Sequence, residues 1–296
     1  MLRPAETRSG LLSRAPSPAL VVGGIASVQF GSAIAATLFA RIGPGGAVLL
    51  RLLTATIALG LISRPRVGQI ARRDLFLACA FGLILAGMNL TFYHAIQRIP
   101  LGVAVAIEFI GPLGVAVLGS RRGLDLVWAA LAVVGIVALM HGDVHSLNLL
   151  GVLLALCAGV LWGAYILVNA RLGQAFADGT GLAVAMAVAT LLSLPVGVAE
   201  GGAHLLSARV LLLGAAVGML SSAIPYSFEL EALRRIATRV FGVLMSLEPA
   251  LAALAGFIVL GQALSAREGF GMALVIAASV GASLASRRPA AAPVDV

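Results

Sequence analysis

Apolar positions along the chain gather into runs of about 17–25 residues, broken by short connectors that carry Arg, Gly, Asp or Pro. At about 1.5 Å of rise per residue, a helix of that length crosses a hydrocarbon core of about 30 Å. The pattern predicts spans near 19–40, 45–63, 75–95, 100–118, 124–141, 149–170, 180–199, 208–232, 239–260 and 267–286. The chain therefore reads as an all-α integral membrane protein with ten transmembrane helices. No connector is long enough for a soluble domain. Residues 1–18 and 287–296 are polar or Pro/Ala-rich tails with no core to join, and are expected to be disordered. Arg3, Arg8 and Arg14 before the first span resemble a signal sequence, but the stretch Ala19 to Ala40 is too long for one and reads as an anchor.

Composition narrows the class. The chain is 60% hydrophobic and 11% charged, with a mean hydropathy of +1.07, against roughly 45–50% and 25% in soluble domains. These values exclude a soluble enzyme, a disordered chain and a secreted disulfide scaffold. The net charge of +8 comes entirely from Arg, with no Lys. The arginines stand singly or in pairs between apolar runs, which points to topology control and not to nucleic acid. With the N-terminus inside, the outer segments hold only Arg41, Arg98, Arg209 and Arg267, and Arg51 lies within a span. All the others are then inside, so both termini are expected to be cytoplasmic. Cys79 and Cys157 lie inside apolar runs and are read as small core residues. His94, His141, His145 and His204 fall at outer ends of spans without metal-ligand spacing, so no metal site is expected.

A repeat is visible. GVAVAIE at 102–108 matches GVLMSLE at 242–248, and the preceding Ala95-Ile96-Gln97-Arg98-Ile99 matches Ala232-Leu233-Arg234-Arg235-Ile236. Each match falls in the fourth span of a five-span half, 19–145 and 146–286. Five is odd, so the halves enter the membrane in opposite senses. Inverted repeats of this kind are an architecture of secondary carriers, with the site near the midplane.

Charge inside a span costs about 2.5–3.5 kcal/mol on insertion scales, so each instance needs a reason. Glu108 and Glu248 are related by the repeat and lie about 12 Å and about 14 Å deep. They are candidates either to titrate or to bind a substrate amino group, the alternative being a hydrogen-bonded strut between helices. Pro112, Pro225 and Pro249 lack an N–H and so free the carbonyls of Glu108, Ser221 and Met245. Free carbonyls at membrane depth are tolerated where they are buried in protein or line a wet cavity. Arg51 is expected to be structural, as an ion pair with Glu108 or an interfacial anchor. Glu231 lies three and four residues before Arg234 and Arg235, the spacing of a helical ion pair. Glu229 is a weaker site candidate. Gln29, Asn89, Tyr93, Trp162, Tyr165 and Tyr226 are polar or aromatic groups within spans that could meet the two charges and the side chain of an amino acid. No phosphate-binding loop, HExxH, CxxC or nucleophile elbow occurs, so transport must draw on an ion or solute gradient without a cofactor.

Three blocks carry a family resemblance: MNLTFYHAIQRIPLGVAVAIEFIGPLGVAVLGSRR at 88–122, GVLWGAYILVNAR at 159–171, and SSAIPYSFELEALRRIATRVFGVLMSLEPALAALAGFIVLGQALS at 221–265. The chain resembles the drug/metabolite transporter superfamily, as a pair of EamA-type repeats, and within it the threonine/homoserine-exporter branch. Most relatives carry LGE where this chain has Gln262. The resemblance implies a non-enzymatic, multi-pass carrier of the inner membrane, exporting small amino acids or related metabolites in exchange for protons. It supports the polar set above as lining a cavity. The competing classes are an intramembrane enzyme, for which the loops are too short and bland, and a non-transporting scaffold or sensor, for which the buried glutamates would be dispensable.

Overall fold

The computed structural model describes residues 16–63, 68, 70–118, 123–140, 148–176, 180–225, 228, 232, 235–236 and 238–285. Residues 1–15 and 287–296 of the expected tails, His141, His145, Tyr226, Glu229 and the Glu231–Arg234 pairing lie outside them, whereas Ser17 and Pro18 of the expected N-terminal tail open the first helix. The described residues are helical: α1 Ser17–Ala36, α2 Phe39–Ser63, α3 Arg72–Ile96, α4 Leu101–Glu108, α5 Ile110–Leu118, α6 Gly123–Met140, α7 Leu149–Ala175, α8 Thr180–Gly201, α9 Ala208–Gly218, α10 Thr238–Met245, α11 Glu248–Leu260 and α12 Ala266–Ala285. Six helical stretches are long and apolar enough to cross a membrane, and shorter apolar helices accompany them. Large apolar side chains point outward all round the bundle, among them Leu61, Ile62, Phe76, Leu118 and Leu212. Water is a poor solvent for such a surface, and the molecule is a multi-pass membrane protein.

The predicted spans 100–118, 208–232 and 239–260 are not continuous α-helices, and a kink precedes the span 45–63. α2 starts at Phe39 and kinks at Gly43, whose φ of 65° suits glycine. The span predicted over 100–118 divides at Phe109 into α4 and α5, and that over 239–260 divides at Ser246–Leu247 into α10 and α11. Glu108 thus closes α4 and Glu248 opens α11, so each of these two glutamates sits at a helix division. After α9 the chain widens into a π turn over Met219–Ala223. One core assignment is also corrected: Cys79 is half-buried, but Cys157 is exposed on the outer surface of α7. A small, soft side chain is at home against lipid as well as in a core, so its apolar setting did not distinguish the two.

Packing interleaves the chain. α2 lies on α8, α3 on both α7 and α8, α1 and α4 on α11, α5 on α7, α2 on α9, and α6 on α12. The closest crossing is α5 on α7. Pro112 leaves the Glu108 carbonyl without its i+4 donor, and that carbonyl faces Gly159: a Cβ there would lie 2.7 Å from it. A Cβ on Gly111 would in turn meet the Gly159 carbonyl. Small residues at these positions let the two backbones meet, as membrane helix pairs without a hydrophobic driving force require.

Helix ends are capped from afar. The Gln262 amide oxygen accepts the Leu101 N–H of α4 at 3.0 Å, just after Gly261 ends α11 in the left-handed conformation. Glu200 at the end of α8 accepts the Gly45 N–H beyond the α2 kink at 2.7 Å, and its other oxygen meets His94 Nε2 of α3 at 2.9 Å. Ser265 and Glu268 form a capping box at the start of α12.

Gly159→Ala is expected to lower stability in detergent by about 1–3 kcal/mol, since the new methyl group overpacks against a backbone carbonyl. Gly60→Ala, with nothing within 4 Å of its Cβ position, is expected to leave the melting temperature close to that of the wild type. Equal melting of the two variants would show that the α5–α7 crossing has room to spare.

Candidate functional site

Proline-freed carbonyls and divided helices converge on one cavity of about 590 Å³ within the bundle. Its wall is drawn from both halves of the chain: Val28, Gln29 and Ser32 of α1, Arg51 of α2, Asn89 of α3, Glu108 of α4, Trp162 and Tyr165 of α7, Ser221 and Ser222 of the π turn, Glu248 of α11 and Ser279 of α12. Seven residues singled out from the sequence, Gln29, Arg51, Asn89, Glu108, Trp162, Tyr165 and Glu248, thus face one space. Glu108 and Glu248 are 8% and 7% exposed, so neither carboxyl rests in bulk water.

Arg51 is the cationic member of the wall, and Tyr93 holds it. The guanidinium Nη1 donates to Tyr93 Oη at 3.1 Å, and the group stands 5.6 Å from the tyrosine ring centre. Tyr93 is fully buried and does not itself line the cavity; it reaches the site through the arginine. Phe39 and Phe92 pack on its ring at 5.8 Å and 6.0 Å. Nη2 of Arg51 lies 3.5 Å from the Ser221 carbonyl, at the outer limit of a hydrogen bond. That is the carbonyl deprived of its i+4 donor by Pro225. Glu108 shares the cavity wall with this guanidinium. The arginine expected to be structural, as an ion pair with Glu108 or an interfacial anchor, lines the cavity wall and is bonded to Tyr93.

The remaining wall is fixed by ordinary packing. Trp162 meets Phe109 edge-on at 5.4 Å, and Tyr165 stacks on Phe81 at 5.0 Å. Asn89 donates Nδ2 to the Leu85 carbonyl at 2.8 Å. Ser279 shares a 2.8 Å hydrogen bond with Ser246, beside the division between α10 and α11. Ser27 ties α1 to the π turn by donating to the Leu220 carbonyl at 2.6 Å. The serines of the wall were not singled out in the sequence, because hydroxyls within spans usually bond back to their own helix. Thr54, Ser63, Thr91 and Thr190 do so here. Among the described residues no group of three metal-ligating side chains comes together. Arg235 is exposed near the start of α10, away from this wall.

This chain is 42% identical to a threonine/homoserine exporter of Salmonella typhimurium over 92% of its own length and 93% of the relative's. It is 42% identical to the threonine/homoserine exporter of Escherichia coli K12 over 89% and 90%. The model of the EamA-like transporter family matches residues 149–284. The chain belongs to the EamA transporter family. A solved crystal structure 18% identical in sequence superposes with a TM-score of 0.61 over 91% of this chain and 98% of its own, so the fold is shared with a known protein. The EamA assignment makes the chain a transporter and not an enzyme, and makes a cavity at the heart of the bundle the place to look for its solute.

Tyr93→Phe keeps the ring under Arg51 and removes the Oη acceptor. A hydrogen bond to a charged group is worth about 1.5–3 kcal/mol. The initial rate of solute export at low substrate is therefore expected to fall about tenfold, with membrane abundance near the wild-type level. An unchanged rate would show that packing alone orients the guanidinium.

Proposed function

We propose that this EamA protein exports threonine, homoserine or closely related small amino acids across the inner membrane in exchange for protons, by alternating access, with both termini cytoplasmic. The observation that carries the reading is the charge content of the cavity. One guanidinium and two carboxyls line it, complementary to the carboxylate and ammonium of a zwitterion. Arg51 suits the substrate carboxylate through its planar donors. Glu108 and Glu248 suit the ammonium, and with two carboxyls available one can bind the amino group while the other carries a proton. Gln29, Asn89, Trp162 and Tyr165 complete the wall, with Tyr93 behind Arg51. The names of the relatives, threonine/homoserine exporters at 42% identity, supply the substrate class.

Alternating access between two inverted halves, each of five spans, is supported by the packing. Exchanging the halves turns α1 on α11 into α7 on α4 and α5, α3 on α8 into α9 on α2, and α3 on α7 into α9 on α1; each of these pairs is in contact. The family match at 149–284 lies within the second half. Division of both fourth spans beside a glutamate further supports a midplane site built from discontinuous helices.

Overproduction in cells challenged with inhibitory threonine or homoserine is expected to raise tolerance and lower the internal levels of both. Unchanged tolerance, with the protein verified in the membrane, would leave a carrier of some other solute.

The carboxyls separate by substitution. Glu248→Gln keeps volume and one hydrogen-bonding oxygen but has no proton to give up. It is expected to abolish efflux driven by an imposed pH gradient, at near-normal abundance, whereas Glu231→Gln is expected to change little. Normal, pH-dependent efflux by Glu248→Gln would move the coupling role to Glu108 or Glu229.

A further inference from the structure

Buried polar atoms almost always have a hydrogen-bond partner, and each exception asks for an explanation. Among the described residues five buried side-chain atoms have none: Gln29 Oε1, Ser32 Oγ, Ser193 Oγ, Ser221 Oγ and Trp128 Nε1. Three of these five, on Gln29, Ser32 and Ser221, line the cavity. Their residues are 4%, 1% and 5% exposed.

The three belong to one place. Gln29 and Ser32 are three residues apart on α1, so they share a face of that helix. The π turn that carries Ser221 crosses α1 at Gly31, where a Cβ would stand 2.5 Å from Ser221 Oγ. The Ser27 hydrogen bond to the Leu220 carbonyl fixes this crossing. A π turn places its side chains off the register of an ordinary helix and often marks a functional site. Here Ser221 is a residue of the cavity wall, its Oγ set against α1 and its carbonyl toward Arg51.

We infer that Gln29, Ser32 and Ser221 form a subsite that reads the side-chain hydroxyl of the exported amino acid. The inference rests on the proposed export of small hydroxy amino acids and says which atoms select them. The charged ends of a zwitterion are drawn to Arg51 and to the glutamates, so the neutral cluster is left for a neutral group. Its chemistry is that of a hydroxyl partner: an amide oxygen accepts the substrate O–H, and two serine hydroxyls donate to its oxygen or accept from it. Because the cluster adjoins the Ser221 carbonyl beside Arg51, the hydroxyl it meets lies close to the substrate carboxylate. A hydroxyl on the β carbon, as in threonine, or on the γ carbon, as in homoserine, is within that neighbourhood. Two serines on separate elements allow either position to be met. A substrate with a methyl group in place of the hydroxyl leaves all three atoms buried and unpaired, and a site of this kind rejects it strongly.

The test is efflux of four labelled amino acids from proteoliposomes holding the full chain. Threonine is compared with valine and homoserine with norvaline, each pair differing by a hydroxyl against a methyl group. The wild type is expected to prefer the hydroxylated member about tenfold or more. Ser221→Ala and Gln29→Leu are each expected to bring that ratio to within about threefold of unity, a change that a general loss of folding or transport does not produce. Ser32→Ala, the smallest change on α1, checks that helix if Gln29→Leu fails to insert. Threonine and homoserine export with a wild-type ratio near unity, or with a high ratio that survives in all three variants, overturns the hydroxyl subsite while leaving the transporter reading in place. Export of none of the four overturns the substrate assignment and this subsite with it.

Discussion

A polar group withdrawn from water must be met inside the protein, and inside a membrane no lipid can meet it. This constraint shapes the whole molecule. It makes the described chain helical, since a helix satisfies its own backbone. It explains why the helix ends that α2 and α4 turn inward are capped by side chains from remote parts of the chain, Glu200 and Gln262. It also bears on the two prolines of the cavity wall: the carbonyl freed by Pro112 packs against Gly159, and the one freed by Pro225 lies near Arg51.

The same constraint bears on an arginine set within a span, which is half-buried here. Burying a guanidinium against a lone carboxylate fixes the pair and leaves little for a solute. Here tyrosine takes the place of that carboxylate. The Tyr93 hydroxyl and ring hold Arg51 without neutralising it, so its charge stays available to a ligand, and Phe39 and Phe92 hold the ring in turn. Positioning by a neutral partner is what a binding site needs and what a structural ion pair lacks.

Much of this was legible in the sequence wherever a residue stood in the wrong solvent. Glu108 and Glu248 were visible as acids in apolar spans beside prolines, and Gln29 and Asn89 as amides where amides are rare. Helix existence followed from apolar run length alone. The division of α4 from α5 and of α10 from α11 was not legible, because apolar residues continue through both. Arg51 was visible but its partner was not: Tyr93 lies 42 residues away, and no local spacing links them. His94 and Glu200 pair across 106 residues, for the same reason unseen. Ser221 was visible only through the carbonyl that Pro225 frees, and the hydroxyls of Ser32 and Ser221 carried no signal. A serine in a span that bonds its own helix, as Ser63 does with Leu59, looks identical in sequence to one that faces a solute.

That ambiguity has a consequence for how selectivity is distributed in such a carrier. On the proposed reading Arg51, Glu108 and Glu248 meet the charges that all α-amino acids share, and so would not by themselves separate one amino acid from another. Discrimination has to come from groups that meet the side chain, and those are neutral, small and inconspicuous. A carboxylate in a span is expensive and tightly constrained by its depth and partners, whereas exchanging a serine for alanine or glycine on a wall helix perturbs folding little. On that reading one scaffold, one guanidinium and a pair of carboxyls could be kept while the solute changes through hydroxyls on α1 and the π turn. The width of the turn matters as much as its residues, because straightening Met219–Ala223 into an ordinary helix would rotate Ser221 relative to α1 and separate its hydroxyl from Gln29 and Ser32.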